Sequence, residues 1–191
     1  ASDVYKRQGL TLIANSRGYK SIIVMPETQT KEKKDTLKSM GADLRLVAAK
    51  PYKDPGNYVR YSEKLANEIY DKSNGNAIWA NQFDNTSNRK VHIETTAQEI
   101  WKQTNNRVTH FLAGIGTGGT VMGTSRGLRD LNPDIKCYAV EPAESLHGLE
   151  GLKHMESSIV PGIYKEEELE GKISVPTEEA YDMVETLEKQ E

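Results

Sequence analysis

The residues best suited to chemistry in this 191-residue chain crowd into Gly114-Ile115-Gly116-Thr117-Gly118-Gly119-Thr120, where four glycines and two threonines share seven positions. Glycine has no Cβ, so its backbone N–H can come close to an anion. A helix N-terminus adds roughly half a unit of positive charge and unpaired donors, and the threonine hydroxyls add more. This is equipment for gripping a phosphate. Two phosphate readings stand. Gly114-x-Gly116-x-x-Gly119 satisfies the dinucleotide pattern of an oxidoreductase domain, with Glu141 closing the next strand as the ribose-binding acid. The other reading is a cup for a single phosphate, which suits Thr-Gly-Gly-Thr better. A tight strand-to-helix connection without a ligand is the third.

The turn needs a strand before it and a helix after it. Residues 108–113 read as a strand, 119–129 as a helix and 135–140 as the next strand. In a parallel sheet the turn then lies at the C-terminal edge, where ligands bind. Upstream, Leu10, Ile13 and Ala14 mark a helical stripe, and 20–25 reads as a strand. Thr30 opens a helix with Leu37 and Met40 on its apolar face, Gly41 ends it, and 43–48 is a strand. A Pro- and Gly-bearing loop at 50–57 precedes Tyr58, Tyr61, Leu65 and Ile69 at helical spacing, then a strand at 77–83. Ile93, Ala97, Ile100, Trp101 and Thr104 make one more helix. Thr177 is placed to cap a last helix bearing Ala180, Met183, Val184 and Leu187, and 165–170 reads as a solvated loop. Repeated strand–helix–strand units imply an α/β fold with parallel sheets flanked by helices.

Composition narrows the class. Lysine and arginine total 25 against 28 acidic residues, and the pI is about 5.9, which gives no electrostatic footprint for nucleic acid. No apolar run approaches the ~18 residues of a membrane span. A single cysteine, Cys137, excludes an internal disulfide and suits a cytoplasmic setting; it reads as a small buried hydrophobe. Four histidines show no metal-ligand spacing: His92 falls on a polar helix face, His110 in a strand, and His147 and His154 flank a glycine loop.

Several segments occur in one order: Asn81-Gln82-Phe83-Asp84-Asn85, the helix with Glu94-Thr95-Thr96 and Glu99-Ile100-Trp101, the Gly116–Thr120 cup, and Ala139-Val140-Glu141-Pro142. Together with Ile23-Val24-Met25-Pro26-Glu27 and Gly41-Ala42, they resemble the cysteine synthase and cystathionine β-synthase family of pyridoxal-phosphate enzymes. His147-Gly148-Leu149-Glu150-Gly151-Leu152-Lys153-His154-Met155 is most similar to the bacterial cysteine synthase branch.

The resemblance implies a two-domain, fold-type-II architecture, with a partial smaller domain at 9–83 and a partial larger, cofactor-binding domain at 84–191. It implies pyridoxal 5'-phosphate as cofactor, its phosphate held by Gly116, Thr117, Gly118, Gly119 and Thr120. Gln82 and Gly151 match substrate-binding positions. The implied reaction is β-replacement on O-acetylserine, with sulfide or thiosulfate, to give cysteine; cystathionine synthesis is the alternative within the family. The substrate would be a small amino acid, and the full-length parent a homodimer. The family's Schiff-base lysine has no match among the lysines here, so the chain is expected to be a piece of a longer enzyme and inactive alone. Residues 1–8 are expected to be a non-native scar.

Overall fold

The computed structural model describes residues 2–190, and the chain divides into two compact units, residues 1–80 and 81–191. In the first unit α1 (Ser2–Ser16), β1 (Ile22–Pro26), α2 (Lys31–Ser39), β2 (Asp43–Val47) and α3 (Tyr58–Lys72) alternate. The helix at the start already runs from Ser2, ahead of the expected Gly9, and Ala1 lies outside the described residues. β1 and β2 pair in parallel, from Ile22 opposite Asp43 to Pro26 opposite Val47. Local chemistry sets the helix ends. Thr30 caps α2 by accepting from Lys33 N, and Gly41 follows that helix at φ +86°, a left-handed conformation suited to glycine. Asn57 caps α3 by accepting from Val59 N at 3.0 Å, while its amide donates to Lys50 O at 2.7 Å. The 50–57 loop is thereby tied to the helix it precedes. Val24, Met25, Leu37 and Val59 form the unit's buried apolar set.

Two expectations for this region fail. Leu10 and Ile13 are exposed, whereas Thr11 between them is fully buried. Thr11 can be buried at little cost because its hydroxyl bonds Arg7 O at 2.9 Å and lies 3.1 Å from Ser21 Oγ. Residues 77–83 form no strand: among the described residues no strand pairs with them, and Ile78 is 93% exposed. Trp79 is held by its side chain instead, Nε1 donating to Ser62 Oγ at 3.1 Å.

In the second unit α4 (Ser87–Val91), a π-helical turn (His92–Thr96) and α5 (Ala97–Gln103) follow one another without leaving right-handed helical backbone. Then come β3 (His110–Gly114), α6 (Gly119–Leu131), β4 (Lys136–Pro142), β5 (Gly171–Val175) and α7 (Thr177–Glu188). The sheet order is β3-β4-β5, all parallel, with Gly114 opposite Val140 and Val140 opposite Ile173. One buried cluster gathers Ile115, Val121, Met122, Ala139, Met155 and Tyr164; a second gathers Ala97, Leu128, Ile135 and Cys137. Cys137 is a free, fully buried thiol, and burial pushes its pKa up.

Here too the sequence expectations need correction. β5 has no counterpart among them. Residues 165–170 are not simply solvated, because Glu168 takes a forked bond from Arg126, at 2.7 and 2.5 Å, and Glu170 one from Arg129, at 2.9 and 2.8 Å. The Arg126 hydrogen bond holds the Glu168 carboxyl below its usual range. These pairs fasten α6 to the segment leading into β5. Thr177 does not cap α7; the cap position is Pro176, and Thr177 Oγ1 accepts from Gly148 N at 3.1 Å. The face of α7 bearing Met183, Val184 and Leu187 is exposed. Among the described residues no helix is long and apolar enough to cross a membrane.

Candidate phosphate site

The glycine turn leaves the sheet at the C-terminal end of β3. Ile115 N donates to Val140 O at 2.9 Å, and the Ile115 side chain is fully buried, which pins the start of the turn to the core. Gly118 then takes φ +83° as the N-cap of α6, a conformation that strains any residue with a Cβ. No side chain caps this helix. The cap residue has no side chain to offer its first-turn N–H groups, and the helix dipole favours an anion there.

One flank of the turn is braced by α4 and the π turn. Asn88 Nδ2 donates to Gln82 O at 2.6 Å and to Thr117 Oγ1 at 3.1 Å. The bond to a carbonyl fixes which way the amide faces, so Thr117 oxygen accepts and its own hydrogen is left to point elsewhere. Asn88 fits only because position 119 is glycine: a Cβ there would overlap the Asn88 amide. One helical turn on, His92 Nδ1 lies 2.9 Å from Thr96 Oγ1 and Nε2 lies 3.4 Å from Thr120 Oγ1. Gly123 continues the stripe; a Cβ there would overlap Arg89 O and come within 2.7 Å of His92 Cβ. A Cβ at Gly127 would lie 2.6 Å from Ala97 Cβ. Gly119, Gly123 and Gly127, spaced by four, thus let two helices approach at backbone distance.

The other flank is the loop around Gly151. Lys153 N donates to Ile115 O at 2.8 Å. A Cβ on Gly116 would sit 2.9 Å from Gly151 O, and one on Gly114 would sit 2.6 Å from Leu152 Cδ2. Gly151 itself adopts φ +91°. The loop is held from below by Glu141, only 5% exposed, whose Oε2 accepts from Met155 N at 3.0 Å while Oε1 lies 3.2 Å from Lys172 Nζ. Lys172 also reaches Glu166 at 3.3 Å. Burial lowers the Lys172 pKa, but the bonds to Glu141 and Glu166 outweigh it and hold the ammonium above its ordinary value. Further along, Lys153 Nζ stands 5.1 Å over the Phe83 ring, a cation–π contact. Tyr181 OH donates to Gly148 O at 3.1 Å.

Of the expected site residues, Gly116, Thr117, Gly118, Gly119 and Thr120 form one turn, with Gly151 packed against Gly116. Gln82 joins them through its carbonyl, by way of Asn88. Glu141, the acid of the dinucleotide reading, points elsewhere, both oxygens being committed to Lys172 and Met155. Asn88 and His92 were missed by sequence reasoning; the four-residue glycine spacing on α6 was the signal that a helix must lie against it. The turn fits a phosphate group on the structure's own terms. Its glycines pack without a Cβ against Leu152, Gly151 O, Tyr164 and Asn88, its helix N-terminus has a cap residue with no side chain, and two hydroxyls flank it.

The chain is similar to known proteins along most of its length. Residues 8–191 match the family model described as pyridoxal-phosphate dependent enzyme. The chain is 40% identical over 182 residues to a cysteine synthase from Aquifex aeolicus, covering 95% of this chain and 54% of that protein. It is 40% identical over 139 residues to a cystathionine beta-synthase from Apis mellifera, covering 72% of this chain and 27% of that one. Among solved structures, O-acetyl serine sulfhydrylase isoform 3 from Entamoeba histolytica superposes with a TM-score of 0.80 at 32% identity, covering 96% of this chain and 54% of that chain. The chain spans about half the length of the cysteine synthase and of the sulfhydrylase, and 27% of the cystathionine beta-synthase. The α/β fold with parallel sheets flanked by helices is the one those enzymes share. The chain belongs to the pyridoxal-phosphate dependent enzyme family.

Proposed function

We propose that the protein from which this chain comes makes cysteine by β-replacement on O-acetylserine, with sulfide or thiosulfate as the sulfur donor. In this reading the Gly116–Thr120 turn holds the phosphate of pyridoxal 5'-phosphate, which when bound supplies an electron sink for chemistry at the amino-acid α-carbon. The single observation that carries the reading is the glycine turn that opens α6, with left-handed Gly118 at the N-cap and the Thr117 and Thr120 hydroxyls beside it. It is supported by similarity to cysteine synthases across nearly the whole chain. The chain's own residues bind and orient. Backbone N–H groups of the turn and the Thr117 hydroxyl face the phosphate, Asn88 keeps Thr117 a donor, and Glu141 holds the Gly151 loop against the cradle. Gln82 is assigned to help bind the carboxylate of the amino-acid substrate, and Gly151 to lie with its backbone beside that substrate.

None of the lysines stands in a context that matches the family's Schiff-base segment, so the 191-residue chain is proposed to bind the cofactor without turning over. The test is a binding and turnover experiment on the purified chain. Pyridoxal phosphate should bind, pyridoxal without its phosphate should bind far more weakly, and NAD should not compete. No cysteine should form from O-acetylserine and sulfide. NAD binding that Glu141→Ala weakens would move the assignment to a dinucleotide site, and steady cysteine production would refute the requirement for a separate lysine segment.

A further inference from the structure

We propose that His92 decides whether Thr120 can donate to a bound anion, so that the grip of the cup is coupled to a proton on His92. The inference rests on the phosphate reading of the turn. His92 lies between two hydroxyls, with Nδ1 2.9 Å from Thr96 Oγ1 and Nε2 3.4 Å from Thr120 Oγ1. A neutral imidazole has one donor nitrogen and one acceptor. With the proton on Nδ1, Nε2 can only accept; the Thr120 hydrogen then points to the ring and is lost to the cup. With a proton on Nε2, or on both nitrogens, the Thr120 oxygen accepts and its hydrogen can turn to the anion. A bound anion therefore selects the Nε2-protonated ring, and the doubly protonated ring adds a favourable charge.

Thr117 offers the contrast. Its partner is the Asn88 amide, tied to Gln82 O and unable to exchange its donor for an acceptor. Thr117 is a fixed donor and Thr120 a conditional one. The elements packed on the π turn are α4, α5 and α6. Their charged groups are Arg89 and Lys90, Glu99 and Lys102, and Arg126, Arg129 and Asp130, with Glu94 on the π turn itself. Lys90 pairs with Glu94 at 3.6 Å, Arg126 with Glu168 and Arg129 with Glu170. None of these groups is an imidazole, so the ring followed on this turn is that of His92.

The test follows the His92 ring by NMR in the whole chain, with and without saturating inorganic sulfate, a probe that stays dianionic throughout. Sulfate should raise the His92 pKa by about one unit, equivalent to about tenfold tighter sulfate once the ring is protonated. Thr120→Ser should keep that shift and Thr120→Val should reduce it to the part supplied by the ring's charge, while backbone amides of the cup still respond to sulfate. His92→Gln should flatten the pH dependence of sulfate affinity. A His92 titration unchanged by sulfate, with the cup amides responding, would overturn the inference and leave the phosphate reading standing. Full retention of the shift in Thr120→Val would also overturn it, because the coupling would then bypass the hydroxyl. Cup amides silent to sulfate would defeat the phosphate reading itself.

Discussion

The glycine turn is held from two sides by different means. On the α4 side the hold is an absence of atoms: Gly119, Gly123 and Gly127 clear the space into which Asn88, His92 and Ala97 fit. On the Gly151 side the hold is charge, with the buried Glu141 carboxylate shared between Lys172 and the Met155 amide. A hold by close packing has no tolerance for volume. A hold by a buried carboxylate tolerates shape but fails when its charge or partner is removed. The site thus combines a rigid wall that orients donors with a loop seated in part by a buried ion pair.

The largest break in this comparison comes from Gly123→Val. The added atoms would overlap Arg89 O and His92 Cβ, and the stability loss should be about 3 kcal/mol or more, read as a fall in denaturation midpoint with loss of anion binding. Glu141→Gln should come next, at about 2 kcal/mol, because Lys172 loses its buried partner. Its signature is local: amide hydrogen exchange should speed up around Met155 and Lys153 while α6 stays protected. Equal acceleration on both flanks would show that the two holds are one.

Asn88→Ala sits lower, at about 1 kcal/mol, with a severalfold loss of sulfate affinity from the freed Thr117 hydroxyl. Asn88→Asp would present an oxygen to Gln82 O and should be worse than alanine. The smallest effect lies away from both flanks, at Glu168. Its pKa is depressed by Arg126, so its stabilisation is present above the ordinary carboxylate range and is lost as pH falls through the depressed value. Glu168→Gln should cost no more than about 1 kcal/mol at neutral pH, given its partial exposure, and should flatten the acid limb of a melting-temperature profile.

The sequence was most informative where local rules act. The strand, the glycine turn and α6 are legible because glycine chemistry and strand–helix alternation are local, and the pattern needs no knowledge of what packs against it. Asn88 and His92 were not legible as site residues, since their partners lie 29 and 28 positions away. His92 appears to the sequence as one polar position on a helix face; only the π turn and the glycine stripe carry it to Thr120. Strands depend on partners in the same way. Residues 77–83 have strand-like composition but no paired edge, whereas the short Gly171–Val175 segment becomes a strand because β4 offers one. Thr177 was a plausible cap by type, yet its hydroxyl is used by Gly148. Side chains with two possible partners are settled by tertiary geometry.

The central claim is that the Gly116–Thr120 turn grips a phosphate, and phosphorus NMR of pyridoxal phosphate added to the chain tests it most directly. The account predicts a shifted, bound phosphorus resonance in the wild-type chain and its loss in a Thr117→Val, Thr120→Val double variant that melts normally. A bound resonance that is the same in the folded double variant would contradict the account.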